Sequence, residues 1–230
     1  LVLRLKDVRA AAKDWKTFSN DNPFKIVPHD ESHVRSVRQL PIEVDPPEHT
    51  EYRALVEPVF RRANTPEYQE RMRVLVDGIV ASLPERDEVE AVREFSLPLQ
   101  SRALALLLNV DPSEAERWTG WGIHVFHDAK AGAGEGHALE AYTTEKFREA
   151  ERNPGDDFFS LLNRVEFRGR KLTMEEKNGF ANVFFEDAAT TEIYSLWHSL
   201  SLPDALPISS WMMPWTCFLS GRFFLILTVL

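Results

Sequence analysis

The stretch from Asp45 to Arg53 constrains this chain most, because it combines a helix start with two basic residues on one helix face. Pro46 and Pro47 predict that a helix begins here, since proline fits the first turn, where its missing N–H would have no partner. His49 and Arg53 lie four residues apart and therefore share a face of that helix. An imidazole and a guanidinium on one face predict an anion-binding clamp; a solvated surface pair is the alternative that spacing alone leaves open.

Apolar residues at helical spacing and capping signals predict several more helices. Thr65 is the predicted N-cap of the next helix, with Pro66 at its first position. Capping boxes are predicted at residues 113–116 and 173–176. The predicted helices cover residues 65–83, 97–110, 113 to about 125, about 136–152, and a segment beginning after residue 173. The sequence therefore predicts a mainly α protein.

Four ordered segments resemble a known family. The run Val44 to Phe60 resembles the C-helix signature of bacterial cytochrome P-450 monooxygenases, the haem-thiolate enzymes. Residues 8–18 resemble the B helix of that family, residues 153–162 the turn into its H helix, and residues 169–183 the opening of its I helix. Several ordered motifs match by chance far more rarely than any single one. The resemblance implies an incomplete N-terminal part of the P-450 fold, from the B helix to the start of the I helix, in a domain of residues 1–184.

The resemblance also implies a cofactor and a reaction. In the family, the side chains at the positions of His49 and Arg53 hydrogen-bond the haem propionates, and a cysteine thiolate binds the haem iron. The intact parent would insert one oxygen atom from O2 into a small organic substrate, with electrons from a ferredoxin-type partner. Substrate contacts are expected from residues 26–38 and from lid helices near residues 121–126.

The sequence departs from the family after Phe184. Aligned without gaps, Thr190 takes the position of the family's oxygen-activating threonine and is the candidate catalytic residue. Ala189, however, stands where the family has an acid, and Glu186 and Asp187 replace the small residues that let oxygen approach the helix. We therefore interpret Thr190 as a fortuitous threonine, with a divergent I helix as the alternative.

Residues 186–208 have a different resemblance. The segments 187–194 and 200–208 resemble the translation of a short-read sequencing adapter, so residues 185–230 are interpreted as an artefactual tail. Cys217, the only cysteine, lies in this tail and lacks the family's Phe-x-x-Gly-x-His-x-Cys-x-Gly loop, so we do not assign it as the haem ligand. The chain as given is therefore expected to be inactive and to bind haem weakly or not at all.

Composition excludes several other functions. A net charge of −9 argues against nucleic-acid binding, because there is no surplus of Lys and Arg to displace phosphate counterions. A single cysteine and the absence of an apolar leader favour a cytoplasmic protein. His124 and His127, with His137, have spacing that could suit zinc, but we predict no metal site from them. Because the resemblance begins at the B helix, the family's A helix is expected to be missing.

The apolar tail leaves a rival class of function open. Residues 210–230 are nearly long enough to span a bilayer, but Pro214 and Arg222 interrupt them, so a membrane location is not expected. The alternative is a non-enzymatic helical binding module with a C-terminal membrane tether. A third reading is a truncated oxygenase that uses Thr190 at a divergent oxygen site.

Overall fold

The computed structural model describes residues 4–23, 25–26, 29–30, 35–84, 89–118 and 132–187, and these residues are mostly helical. Residues 115–118 are helical as well, and short 3-10 turns cover Arg62–Asn64 and Pro112–Glu114. A π-helical turn, Ala91–Ser96, leads into α4. The α-helices are α1 (Leu5–Lys13), α2 (Glu48–Arg61), α3 (Pro66–Ser82), α4 (Leu97–Leu108), α5 (Gly132–Arg152), α6 (Phe158–Arg164) and α7 (Met174–Asp187).

Two short antiparallel hairpins accompany the helices. β1 (Lys25–Ile26) pairs with β2 (His29–Asp30), and β3 (Glu166–Phe167) pairs with β4 (Arg170–Lys171). In the second hairpin Phe167 is opposite Arg170, so the turn has two residues, Arg168 and Gly169. Both turn residues have positive φ, 50° and 78°, as a type I′ turn requires. This hairpin connects α6 to α7.

Two of the three predicted caps are confirmed. The Thr65 hydroxyl accepts the backbone N–H of Tyr68 at 3.2 Å. Thr173 and Glu176 form the predicted capping box, in which the Thr173 N–H donates to Glu176 Oε2 at 2.7 Å and the Glu176 N–H donates to Thr173 Oγ1 at 3.2 Å.

The capping box predicted at Ser113 is wrong. The Asp111 carboxylate accepts the backbone N–H of Ser113 at 2.9 Å, so the turn begins one residue earlier, at Pro112. Aspartate competes well for an N-cap, and proline fits the first position that follows it. The helical segment that this turn precedes includes Trp118, which is completely buried.

An aromatic core joins α5, α6 and α7. The rings of Phe158 and Phe184 have centroids 4.9 Å apart, and those of Phe147 and Phe159 are 5.0 Å apart at 78°. The pair of Phe147 and Phe159 is edge-to-face, an arrangement that adds to the stabilisation that burial gives. Trp118 packs edge-on against Phe185, with centroids 4.7 Å apart. The core therefore fixes the direction of α7, the helix that resembles the start of the I helix.

Helix α3 is covered on only part of its predicted apolar face. Ile79 is buried, but Val80, one of the apolar residues at helical spacing in this segment, is 52% exposed, and Val74 is 63% exposed. α3 packs mainly against α4. The periodicity therefore located the helix correctly but overestimated how much of its surface is buried within the described part of the chain.

Candidate functional site

The proposed clamp lies on the first two turns of α2. The helix begins at Glu48, with Pro47 at the N-cap position, and the N–H of His49 donates to the Asp45 carbonyl oxygen at 3.0 Å. His49 and Arg53 are both half-buried and lie one turn apart. The structure thus places the two predicted cofactor-binding residues on the same helix face.

The electrostatics of this pair suit an anion. The pKa of His49 is lowered from its ordinary value, mainly because the ring is partly buried and next because Arg53 is near, although Asp45 opposes the shift. The imidazole is therefore neutral at pH 7 and retains one N–H to donate. Among the residues that the structure describes, the Arg53 guanidinium has no carboxylate partner, in contrast to Arg61, which binds Glu57 at 3.3 Å.

The neighbouring face of α2 is buried and anchored by aromatic contacts. Tyr52 stacks on Phe167 of β3, with ring centroids 3.9 Å apart and an interplanar angle of 8°. The Tyr52 hydroxyl donates to Glu176 Oε1 of α7 at 2.6 Å. Burial, followed by this contact with Glu176, raises the pKa of Tyr52 well above its usual range, so the phenol keeps its proton. The clamp helix is thus attached to both the β3–β4 hairpin and α7.

Glu176 is the centre of a charged network beside Tyr52. Arg170 donates to both of its carboxylate oxygens at 2.7 Å, a bidentate arrangement. The hydrogen bond from Arg170, with further ones from Tyr52 and the Thr173 backbone, lowers the pKa of Glu176 to about 2. Glu176 therefore carries a negative charge at all ordinary pH values.

Arg168, the other arginine of the hairpin, forms ion pairs with two glutamates on the exposed side of α2. Its guanidinium donates to Glu51 Oε2 at 2.6 Å and to Glu48 Oε1 at 3.2 Å. The hydrogen bond from Arg168 is the main reason that the pKa of Glu51 is lowered. Local sequence pattern does not reveal the roles of Arg168 and Arg170. The contacts of Arg168 join residues more than a hundred positions apart, and the pair of Arg170 with Glu176, six positions apart, forms because the hairpin lies against the first turn of α7. The Arg-Gly-Arg turn is the only local signal.

A small cavity lies on the buried side of α2. It measures about 110 Å³ and lies between the segment around residue 40, α2 and the first turn of α7. His49 and Arg53 are not part of its wall, so it is separate from the clamp. The cavity is lined by Arg38, Leu40, Val44, Glu48, Tyr52, Glu175 and Glu176.

Several candidate site residues lie outside the described part of the chain. These are Thr190, Cys217, His124 and His127, together with the adapter-like segment and the tail from residue 188 onward. α7 runs to Asp187, three residues before Thr190. In the part of the chain that the structure describes, no group of three or more His, Cys, Asp or Glu side chains could hold a metal ion.

Comparison with known proteins identifies the fold. No protein-family model matches the chain. A probable cytochrome P-450 from Sinorhizobium fredii is 26% identical over 189 residues, which is 80% of this chain and 44% of that protein. The erythromycin C-12 hydroxylase of Saccharopolyspora erythraea is 28% identical over 190 residues, 78% of this chain and 46% of that one.

Solved structures agree with these relatives. The structure of a carbohydrate-active P-450 is 45% identical, with a TM-score of 0.74, and the match covers 81% of this chain and 49% of that one. A mutant of P-450 EryK in complex with erythromycin B is 26% identical with a TM-score of 0.61, covering 83% and 49%. The chain therefore has a partial cytochrome P-450 fold. It is similar over about 80% of its length to bacterial cytochromes P-450 and spans about half the length of the relatives it matches, whose cofactor is haem.

Within the described residues, no helix is both long enough and apolar enough to cross a membrane. The apolar stretch at residues 210–230 lies outside them.

Proposed function

We propose that this chain supplies the propionate-binding part of the haem site of a haem-dependent monooxygenase. The observation that carries the proposal is the Arg53 guanidinium, which has no carboxylate partner among the described residues although it lies beside a half-buried, neutral His49. A partly buried cation without an acceptor is costly unless a ligand supplies one. The two propionates of haem are carboxylates, so the donor set fits this cofactor.

Each residue would have a distinct task when haem is bound. Arg53 would donate two parallel hydrogen bonds to one carboxylate, which its planar guanidinium suits. His49 would donate its single N–H to a carboxylate as a neutral group. Haem supplies the iron at which O2 is activated in this family. His49 and Arg53 would therefore orient the cofactor and would take no part in proton or electron transfer.

Haem titration of the purified chain tests the proposal, with quenching of tryptophan fluorescence as the readout. Arg53→Gln is expected to weaken haem binding about tenfold, because it removes charge-assisted hydrogen bonds. Binding of haem dimethyl ester, which lacks the carboxylate charges, should not change. Arg61→Gln, on the same helix, is the matched control. Equal affinities of Arg53→Gln and Arg61→Gln for haem would contradict the proposal.

We further propose that the chain as given has no monooxygenase activity. The only cysteine, Cys217, lacks the loop that presents the thiolate in the family, and the described part of the chain contains no cysteine. The ferrous carbon monoxide spectrum of the haem-loaded chain tests this. We expect no band at the thiolate position, and a stoichiometric band there would overturn this proposal.

The intact parent is proposed to oxidise a small organic substrate, with electrons from a ferredoxin-type donor in the cytoplasm. Carbohydrates are the first substrate class to test, because a carbohydrate-active P-450 is 45% identical over most of this chain. The intact protein should show a haem spin-state change on addition of a sugar. A response to terpenes or macrolides alone would exclude the carbohydrate class.

The tail, which the sequence predicts to comprise residues 185–230, is proposed to be an artefact apart from Phe185, which packs against Trp118 in the core, and Thr190 is then not catalytic. Sequencing of the source DNA across the codons for Phe180 to Ser209, with a method that uses no ligated adapter, tests this. A frame that continues into a small-residue, acid and threonine motif supports it. Confirmation of the present codons would overturn it and would favour the helical binding module with a membrane tether.

A further inference from the structure

The β3–β4 hairpin contacts α2 on the face next to His49 and Arg53. We propose that Arg168 is a positioning residue for the propionate clamp, because it binds Glu48 and Glu51 and so fixes the rotation of α2 about its axis. This inference rests on the proposed role of His49 and Arg53, and it assigns a function to a residue far from both in sequence.

The contacts of the hairpin follow one stripe of α2. Arg168 binds Glu51 through Nε at 2.6 Å and through Nη2 at 3.3 Å, and it binds Glu48 through Nη1 at 3.2 Å. Its guanidinium lies 4.9 Å from the Phe167 ring centroid, and Phe167 in turn stacks on Tyr52. Residues 48, 51 and 52 form one side of the first two turns, directly beside the side that carries residues 49 and 53. A rotation of α2 that displaced the clamp would break all of these contacts.

Charge balance gives Arg168 a second effect. Glu48 and Glu51 are close in sequence to the clamp, and two unbalanced carboxylates there would repel the carboxylates of a propionate-bearing ligand. Arg168 places one positive charge between them. The three side chains are 40–51% exposed, so solvent screens the ion pair and its contribution to stability is small. The contacts therefore matter for the position and charge of α2 more than for the stability of the fold.

The backbone of Arg168 supports a role for its side chain. Its φ of 50° lies in the left-handed region, at the first position of a two-residue turn that favours Asn, Asp or Gly. An arginine there costs about 1 kcal/mol relative to glycine. Arginine suits this turn poorly, yet its side chain binds two carboxylates on another element. We therefore infer that arginine is present at this position because of its side-chain contacts.

Arg168→Asn tests the role of the side chain without disturbing the turn, because asparagine suits the turn but cannot bind both glutamates. Haem and haem dimethyl ester are titrated against the purified chain, and Tm is measured in parallel. We expect haem affinity to fall about fivefold with ester affinity and Tm unchanged. Arg168→Lys should restore part of the haem affinity. Arg152→Asn is the matched control, because Arg152 forms an exposed ion pair with Glu145 at 2.9 Å.

Two results of the haem titrations would overturn the inference. The first is equal haem affinity of Arg168→Asn and Arg152→Asn. The second is an equal loss for haem and its ester together with a lower Tm, because this would assign Arg168 to fold stability alone. If Arg53→Gln lowers haem affinity but Arg168→Asn does not, only the positioning role fails; if neither does, the proposed function itself fails.

Hydrogen exchange supplies a test that needs no haem. Arg168→Asn should accelerate amide exchange in the first two turns of α2 about fivefold, while the amides of α3 keep their rates. Arg152→Asn should leave both helices unchanged. Unaltered amide exchange in α2 of Arg168→Asn would also overturn the inference, because it would show that the hairpin does not hold the clamp helix.

Discussion

The backbone N–H of Leu40 donates to the carbonyl oxygen of Gly179 at 3.2 Å, so the segment before α2 lies directly on the backbone of α7. A Cβ atom at residue 179 would overlap with the carbonyl oxygen of Arg38. From the same segment, Gln39 Nε2 donates to Asn182 Oδ1 at 2.8 Å. The close approach of the segment to α7 therefore depends on the absence of a side chain at Gly179.

Gly179→Ala should destabilise the chain by about 2 kcal/mol, because the added methyl group must displace the residue 38–40 segment from α7. Gly78→Ala is the matched control. Gly78 is also inside a helix, but a Cβ there meets nothing within 4 Å, so this change should stabilise by about 0.5–1 kcal/mol. Urea unfolding followed by circular dichroism measures both. Equal effects of the two substitutions would contradict the close packing at Gly179.

The ion pair between Arg35 and Glu43 is buried and should be costly to break. Arg35 Nη1 donates to Glu43 Oε2 at 2.9 Å, and the Arg35 side chain is 0% exposed. Glu43→Gln removes the charged partner of a bidentate contact with this buried cation and should cost about 3 kcal/mol in unfolding free energy. Glu70→Gln breaks the exposed pair with Arg73 and should cost less than about 1 kcal/mol. Similar losses for the two variants would show that the Arg35–Glu43 pair is not shielded from solvent.

The Tyr52 hydroxyl should contribute more to the free energy of unfolding than a tyrosine hydroxyl that binds a neutral acceptor. Tyr52→Phe keeps the stack on Phe167 but removes the hydrogen bond to the Glu176 carboxylate, so it should cost about 2 kcal/mol. Tyr68→Phe removes a 3.3 Å hydrogen bond to a neutral carbonyl oxygen of Ala103 and should cost about 0.5–1 kcal/mol. Thermal or urea unfolding ranks the two. A larger loss from Tyr68→Phe would argue against the charged contact.

Glu176 should make stability depend on pH in the acid range. Its pKa is lowered from 4.5 to about 2 in the folded chain, chiefly by the hydrogen bond from Arg170. Between these values the unfolded chain binds the additional proton, so the stabilisation from Glu176 is complete above 4.5 and is lost as the pH falls towards 2. The advantage of the wild-type chain over Glu176→Gln in urea midpoint should therefore shrink across this window. A constant difference would show that Glu176 has an ordinary pKa in the folded chain.

Local signals in the sequence were enough to locate helices and most caps. Thr65 and the pair Thr173 and Glu176 were predicted correctly, because capping depends on residues three positions apart. The prediction at Ser113 was wrong because Asp111, two residues earlier, offers the competing acceptor. Periodicity also predicted the apolar side of α3, but it could not tell which of those residues a neighbouring helix would cover.

Contacts between distant segments could not be predicted from local pattern. The clamp residues are four positions apart and could be placed on one face, whereas the contacts that hold their helix in position come from Arg168 and Glu176. These contacts depend on how the β3–β4 hairpin and α7 pack against α2, which is decided by tertiary packing. The need for glycine at position 179 is likewise invisible in the local sequence, because it arises only from the close approach of the residue 38–40 segment.

The most direct test of the central claim is a site-resolved one. Gallium protoporphyrin IX, a diamagnetic haem analogue, is added to the isotope-labelled chain while the His49 and Arg53 side-chain signals are followed by NMR. We expect these signals to shift first, and to shift less with the dimethyl ester, because the carboxylates are the groups that His49 and Arg53 bind. Unmoved His49 and Arg53 signals at saturating porphyrin would contradict the assignment of this helix to the haem propionates.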